Sequence, residues 1–301
     1  MDGAAQLRRA VTLAYTPEVP RGWRARPEAL ILGALAFCIA VYLLPMLTLG
    51  AWAFRDRLGA FTLAHLLRLV GDEAYHDAFL ITFRTAGVTT IACVILGYPL
   101  AYLMATAGPR ARVLLFTAVM IPFWTSVLAR SLAWVILLGR RGVVNQWLVS
   151  SGIVGQPVPL LFNSVGVQIG MVHVLLPFMI LPIWSVLARL DPALPLAARS
   201  LGATRGRAFL YVVLPQSLPG LAAGMTLVFM LAVGFYITPA LLGGPNDLTI
   251  VSLIEMVVRD LLDWSFGALL SLTLLALVGA IFALGAMVAG ADRFTGAEGR
   301  A

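Results

Sequence analysis

Charged and apolar residues fall into long alternating blocks along this chain. Residues 29–54 carry no charge, which is enough for one membrane-spanning helix of ~20 residues. A secretory leader has an apolar core of only ~7–15 residues, so this block is expected to be an uncleaved first transmembrane helix behind a polar tail, residues 1–28. Residues 55–77 are mixed, and Leu63, Leu66, Leu67 and Val70 predict an interfacial helix there. Further apolar blocks follow at about Ala78–Ala107, Val113–Gly139, Val165–Leu187, Leu218–Leu242 and Trp264–Ala291. Together they predict an all-α, polytopic membrane protein with six transmembrane helices, residues 75–291 forming a unit of five, and a polar tail at 292–301. The 140–163 stretch, with Gly, Pro, Asn and Gln, reads as a loop, and Gly243–Asp247 as a sharp turn. Residues 249–262 predict a short amphipathic helix with Glu255 and Arg259 paired at i, i+4.

The loop between the fourth and fifth blocks, about 190–217, has more pattern than a linker needs. It reads as two short helices. Pro195 suits a first helical position and Gly202 a helix stop. Thr204 suits the N-cap of a second helix, ended by Leu214-Pro215. Leu194, Ala197, Ala198 and Leu201 lie at helical spacing and give the first helix one apolar stripe. A helix of ~8 residues is ~12 Å long and is not stable alone in water. It needs a surface to dock on, either its own bundle or another protein's groove.

Composition narrows the class. The chain is 60% hydrophobic and 12% charged, against ~25% charge in a soluble domain. All 21 basic residues are arginine. A chain without lysine has no P-loop and no Schiff-base or Ser–Lys chemistry, so ATP, if it drives this protein, binds another chain. Cys38 and Cys93 fall in apolar blocks and are expected to be free, buried thiols. Of the 21 arginines, 13 fall on the side of the termini, Arg110/Arg112 and the 190–217 loop, 6 on the other side and 2 within spans. The positive-inside rule places both termini and that loop in the cytoplasm. The net charge of +7 follows this topology and does not call for nucleic acid.

Candidate chemistry inside the spans is sparse. Arg84 and Arg130 are the charges there, both placed near the outer leaflet; a functional role and snorkelling fit equally. His173 reads as a helix–helix hydrogen bond in preference to a ligand, and nothing pairs His65 with His76 into a metal site. Pro122 is followed by Trp124, Thr125 and Ser126, and a proline there frees backbone groups toward a cavity. Candidate pathway residues are Trp124, Thr125 and Arg130, with Tyr236 and Thr238 ahead of the Pro239 break. No Asp or Glu lies in any span, so physics alone does not name a solute. Gly-x-Ser-x-Gly and His-Glu-x-x-His are absent, which leaves an intramembrane enzyme as a weak rival and a stand-alone carrier as another.

The central loop resembles the EAA loop of permease subunits of binding-protein-dependent ABC importers. The resemblance lies in Leu196-Ala197-Ala198, Gly202-Ala203, Phe209, Leu214-Pro215 and Pro219-Gly220; leucine replaces the motif's glutamate at 196. Pro122–Ser126, Arg130–Trp134, Gly142–Asn145, Pro159–Asn163, Asp191-Pro192 and Thr238–Pro245 are similar to the spermidine/putrescine branch of that family, over about residues 30–290. The resemblance implies a type I importer domain in the inner membrane, with no catalysis and no cofactor on this chain. It implies that two ATPase subunits carry ATP-Mg and receive a coupling helix at about 194–201, so that Leu194, Ala197, Ala198, Leu201, Gly202, Ala203, Arg205, Phe209 and Pro215 serve coupling. A second permease, most simply a paralogue, and an extracytoplasmic solute-binding protein complete the machine. The solute implied is a polyamine, with another small organic solute (amino-acid derivative, phosphonate or opine) as the alternative.

Overall fold

The computed structural model describes residues 27–56 and 59–295. The polar tail at 1–26 and residues 296–301 of the second tail lie outside the described residues. The chain divides into two compact units, residues 1–51 and 52–301. The first contains most of a single helix, α1 (Pro27–Ala53), which covers the first predicted span.

The second unit is built on three long helices: α3 (Glu73–Thr106), α7 (Ser164–Leu187) and α10 (Leu214–Val233), which pack on one another pairwise. Lipid gives apolar helices no hydrophobic reason to associate, so close fit must do it. The fit here is made by glycines. A Cβ on Gly97 of α3 would lie 3.1 Å from Met179 Cγ, and one on Gly224 of α10 would lie 2.9 Å from Met179 Sδ. Gly220 is tighter, its Cβ position 2.7 Å from the carbonyl oxygen of Pro182. Met171, Met179, Ile180 and Ile183 of α7 are wholly enclosed in this contact. Proline in the interior of a helix frees the carbonyl four residues before it; α7 carries Pro177 and Pro182, so the carbonyls of His173 and Phe178 lose their helical N–H donors.

The third predicted span is not one helix. It is α4 (Pro109–Met120), a 3-10 turn (Ile121–Trp124) and α5 (Val127–Leu138), with a 98° bend between the two arms. Pro122 and the extended Thr125 make the break, and Thr125 Oγ1 donates to the Pro122 carbonyl at 2.8 Å. The straight-helix distance that put Arg130 near the outer leaflet therefore does not apply, because the chain turns just before it. The fifth block is broken as well: α10 stops at Val233 and α11 (Ile237–Leu242) follows a kink at Gly234–Tyr236. The predicted 140–163 loop contains α6 (Val143–Ser150), held by the buried Asn145, which donates to the Gly139 and Val158 carbonyls and accepts from Val158 N–H.

At the end near the α7 N-terminus lie α2 (Ala64–Gly71) and the amphipathic α12 (Ile250–Arg259), followed by α13 (Trp264–Thr295). Here α2 is the predicted interfacial helix, and α12 carries the predicted Glu255–Arg259 pair at 3.0 Å. The α13 helix passes the expected end at Ala291. Arg68 is no plain surface charge: its guanidinium lies 4.2 Å above the Phe266 ring and 3.4 Å from Asp263. Ile250 N–H donates to Thr82 Oγ1, tying α12 to α3. At the opposite end Arg112 donates to the carbonyls of Met104, Ala105 and Ala107 and so caps α3. Cys93 is buried as expected, but Cys38 is exposed on the apolar surface of α1.

These contacts predict which glycines resist substitution. Gly220→Val should cost on the order of 1–3 kcal/mol by overpacking, seen as a lower melting temperature of the detergent-solubilised protein. Gly87→Ala, which meets nothing within 4 Å, should leave that temperature unchanged.

Candidate functional site: the coupling loop and the broken spans

The loop helix exists and begins earlier than the sequence suggested. It is α8 (Ala193–Ser200), with Pro195 in its third position, where a missing N–H leaves no hydrogen bond unmade. Asp191 opens it by accepting from Ala193 N–H at 2.9 Å. Its end is a Schellman motif. Gly202 stands at φ +92°, its N–H bonds the Arg199 carbonyl, and Ala203 N–H reaches back to Ala198 at 3.0 Å. Thr204 then caps the next turn, α9 (Arg205–Ala208), accepting from Arg207 N–H.

That second helix does not stop at Leu214-Pro215. It widens into a π-helical turn over Phe209–Val213, where Leu214 N–H bonds the carbonyl five residues back, and runs on as α10. The wider turn relieves the clash that a proline ring makes with the carbonyl four residues earlier. Residues 205–233 are thus one continuous helix of 29 residues from loop to core. Phe209 sits edge-on to two rings of α3, Tyr98 at 5.9 Å and Tyr102 at 5.3 Å, and Tyr98 Oη shares a hydrogen bond with Ser217 at 2.7 Å. Neither tyrosine nor Ser217 was legible as a partner, because each is a lone polar tip in an apolar run.

The first helix offers an apolar stripe that nothing among the described residues covers. Leu194 is 42%, Leu196 58% and Leu201 90% exposed. Ala197 is exposed, Ala198 and Ala203 are half-buried, and Arg199, Arg205 and Arg207 rim the face. Burying a fully exposed leucine is favourable by ~1.5–3 kcal/mol.

The pathway candidates lie on the two broken spans, and only Thr238 is tied across from one to the other. Trp124 and Thr125 are exposed at the 98° bend. Ser131 of α5 and Thr238 of α11 are both buried and bonded to each other at 3.0 Å, so Thr238 joins the two broken segments and faces no open space. Tyr236 is half-buried in the kink, and Pro215 is exposed at the first turn of α10. Trp134 Nε1–H donates to His173 Nδ1 at 3.0 Å, the helix–helix bond read from the sequence. The His173 ring therefore carries its proton on Nε2, and it borders a cavity of about 290 Å³ with Pro122, Leu115, Leu176, Pro177 and Ile180. Arg130, one turn before Trp134, keeps Nε and Nη1 buried without an acceptor among the described residues. Among those residues no cluster of His, Cys, Asp and Glu is assembled that could hold a metal ion.

Residues 97–295 match the family of binding-protein-dependent transport system inner membrane components. The chain is 36% identical over 219 residues to the spermidine/putrescine transport system permease protein PotB of Escherichia coli (strain K12), covering 73% of this chain and 79% of that protein. PotB of Haemophilus influenzae is 39% identical over 193 residues, 64% of this chain and 68% of that one. The inner membrane ABC transporter permease protein YdcU of E. coli is 35% identical over 239 residues, 72% and 75% of the two chains. In fold the chain is similar to a crystal structure of a bacterial ABC transporter that imports alginate, with a TM-score of 0.72 over 87% of this chain and 93% of that one at 19% identity. With the six apolar blocks, the broken spans and the short loop helix in place, this chain belongs to the family of binding-protein-dependent transport system inner membrane components and is a multi-pass inner membrane protein.

Proposed function

We propose that this chain is one permease subunit of an ATP-driven importer for polyamines of the spermidine/putrescine class. The observation that carries the reading is identity of 36–39% to PotB proteins over about two thirds or more of both chains. ATP-Mg binds elsewhere, on two ATPase subunits, and this chain catalyses nothing. One ATPase receives α8 through the stripe of Leu194, Ala197, Ala198 and Leu201, with the arginines near it; both termini lie with that loop in the cytoplasm, as the arginine bias supports. A paralogous permease supplies the other half of the pathway, and an extracytoplasmic binding protein delivers the solute to the far mouth. Because this chain brings no carboxylate into its spans, the ammonium groups meet aromatic faces here, Trp124 and Tyr236, and acids on the second permease.

In this mechanism ATP-driven closure of the ATPases moves α8. Phe209, clamped by Tyr98 and Tyr102, and the continuous helix 205–233 carry that motion into the three-helix core. The breaks at 121–126 and 234–236 are where the pathway changes shape.

Two outcomes check this. Cells lacking the chain, with the rest of the system intact and no second polyamine uptake route, should lose uptake of labelled spermidine and putrescine to the level of cells lacking the ATPase, and the wild-type chain should restore it. Unchanged uptake would move the solute to another small organic molecule. Gly202→Val should abolish transport while membrane insertion stays normal. A β-branched side chain at φ +92° costs on the order of 1–3 kcal/mol, which misplaces the helix end and leaves the core untouched. Normal transport by that variant would count against coupling through α8.

A further inference from the structure

A second polar site lies at the other end of the core, away from α8 and outside the coupling machinery. It is a cavity of about 300 Å³ between the first turns of α7 and the outer third of α3, closed from above by the turn at 245–247. Arg84, Thr85, Ser164, Gln168, Asn246 and Asp247 supply its polar wall. Two of these are fixed. Gln168 accepts from Thr89 Oγ1 at 2.8 Å and donates to the Thr85 carbonyl, and Asp247 accepts from Gly244 N–H with one oxygen at 3.1 Å. Arg84 makes no hydrogen bond or ion pair with the described residues, and no salt bridge joins it to Asp247.

The site thus presents one guanidinium and one carboxylate oxygen, each without a partner among the described residues and both lining the same hollow. The N-terminal turn of α7, which carries partial positive charge, borders it beside Arg84. A bare polycation is repelled by Arg84 and a simple anion by Asp247. A group with a phosphate at one end and an amine at the other satisfies both.

The surface below the hollow supplies the rest. Arg84, Val88, Ile91 and Ile95 recur at helical spacing on one face of α3, and the three apolar residues are 45%, 59% and 64% exposed. Val165 of α7, at the cavity edge, is 50% exposed. Arg84 lies six residues inside the apolar run that begins at Ala78, roughly 9 Å along the helix, so its head reaches the boundary between hydrocarbon and headgroups. A charged hollow at the top of an apolar stripe has the shape of a phospholipid: headgroup in the hollow, acyl chain along the stripe.

We infer that Arg84 and Asp247 form a binding site for an amine-bearing zwitterionic phospholipid of the leaflet opposite the coupling loop. Arg84 donates to the phosphate, Asp247 accepts from the primary amine, and Val88, Ile91 and Ile95 carry an acyl chain. The inference rests on membrane insertion and not on which solute is carried, so loss of the polyamine reading leaves it standing.

The test is native mass spectrometry on the full-length chain, delipidated and then exposed to phosphatidylethanolamine, phosphatidylglycerol or water-soluble glycerophosphoethanolamine. Wild type should hold phosphatidylethanolamine in preference to phosphatidylglycerol and should not hold the soluble headgroup. Arg84→Gln should weaken phosphatidylethanolamine retention by roughly tenfold or more, the factor for one charge-assisted hydrogen bond. Asp247→Asn should erase the preference over phosphatidylglycerol, and Arg84→Lys, which keeps the charge, should retain most binding if the fold is intact. Equal retention by all variants overturns the site. Binding of the soluble headgroup as tight as that of the lipid makes it a solute site and overturns the lipid assignment. Unchanged lipid retention with loss of the second permease from the purified complex makes this face a subunit contact and overturns it too.

Discussion

The structure depends on how closely α3, α7 and α10 approach one another around Met179. Water drives soluble cores together, but lipid tails are as apolar as leucine, and helices in lipid associate only where their surfaces fit. Gly97 and Gly224 bring two backbones onto the same methionine side chain from opposite sides, and Gly220 brings a third contact down to backbone against backbone. Threonines that bond their own helix, such as Thr82 and Thr90, satisfy their hydroxyls without widening the gap. Methionine suits the centre because its flexible thioether fills an irregular space that a branched chain would leave or overfill.

Polar links then pin elements that are distant in sequence to one another, within the core and around it. Thr82 holds the first turn of α12, Ser131 holds Thr238 of α11, Trp134 holds His173, and Tyr98 holds Ser217. Each link joins two elements far apart in sequence, and each sits in surroundings too apolar for water to compete. A hydrogen bond of that kind is costly to leave unmade, so it selects one register among several that apolar packing alone would allow. The buried Nε and Nη1 of Arg130, without an acceptor among the described residues, are the exception beside the bend.

Much of this was legible in the sequence. Spans appear as uncharged blocks because a charge in hydrocarbon is expensive wherever it falls. The caps at Thr204 and Gly202 were readable because capping is local chemistry. What failed is instructive. The apolar blocks at 113–139 and 218–242 look almost continuous because the residues at their breaks, Phe123, Trp124 and Phe235, are as apolar as helix residues; only Pro122 and Pro239 hinted at interruption, and the second break falls at Gly234–Tyr236, ahead of Pro239, which lies inside α11. The reverse error came at Leu214-Pro215, where a proline was read as an end. A π turn is a property of the hydrogen-bond register, and composition does not reveal it. The seat of Arg68 was not legible because the ring beneath it, Phe266, lies nearly two hundred residues away. The pairing of Arg84 with Asp247 around one hollow depends in the same way on a long-range meeting of α3, α7 and the 245–247 turn.

The leucine at 196 bears on how force enters the molecule under the proposed mechanism. Where the motif's glutamate would give a docking helix a directional, salt-sensitive bond, Leu196 sets an exposed apolar side chain on the side of α8 away from the Leu194, Ala197, Ala198 and Leu201 stripe. An apolar contact resists separation in every direction but slides easily, so the register of α8 in its groove must come from something else. The rim arginines Arg199, Arg205 and Arg207 are the only formal charges from Ala193 to Leu214, which assigns that task to acids on the partner. Apolar burial then sets how tightly α8 is held, the arginines set where, and the rigid Schellman end at Gly202 keeps the two coupled to the helix that begins at Arg205.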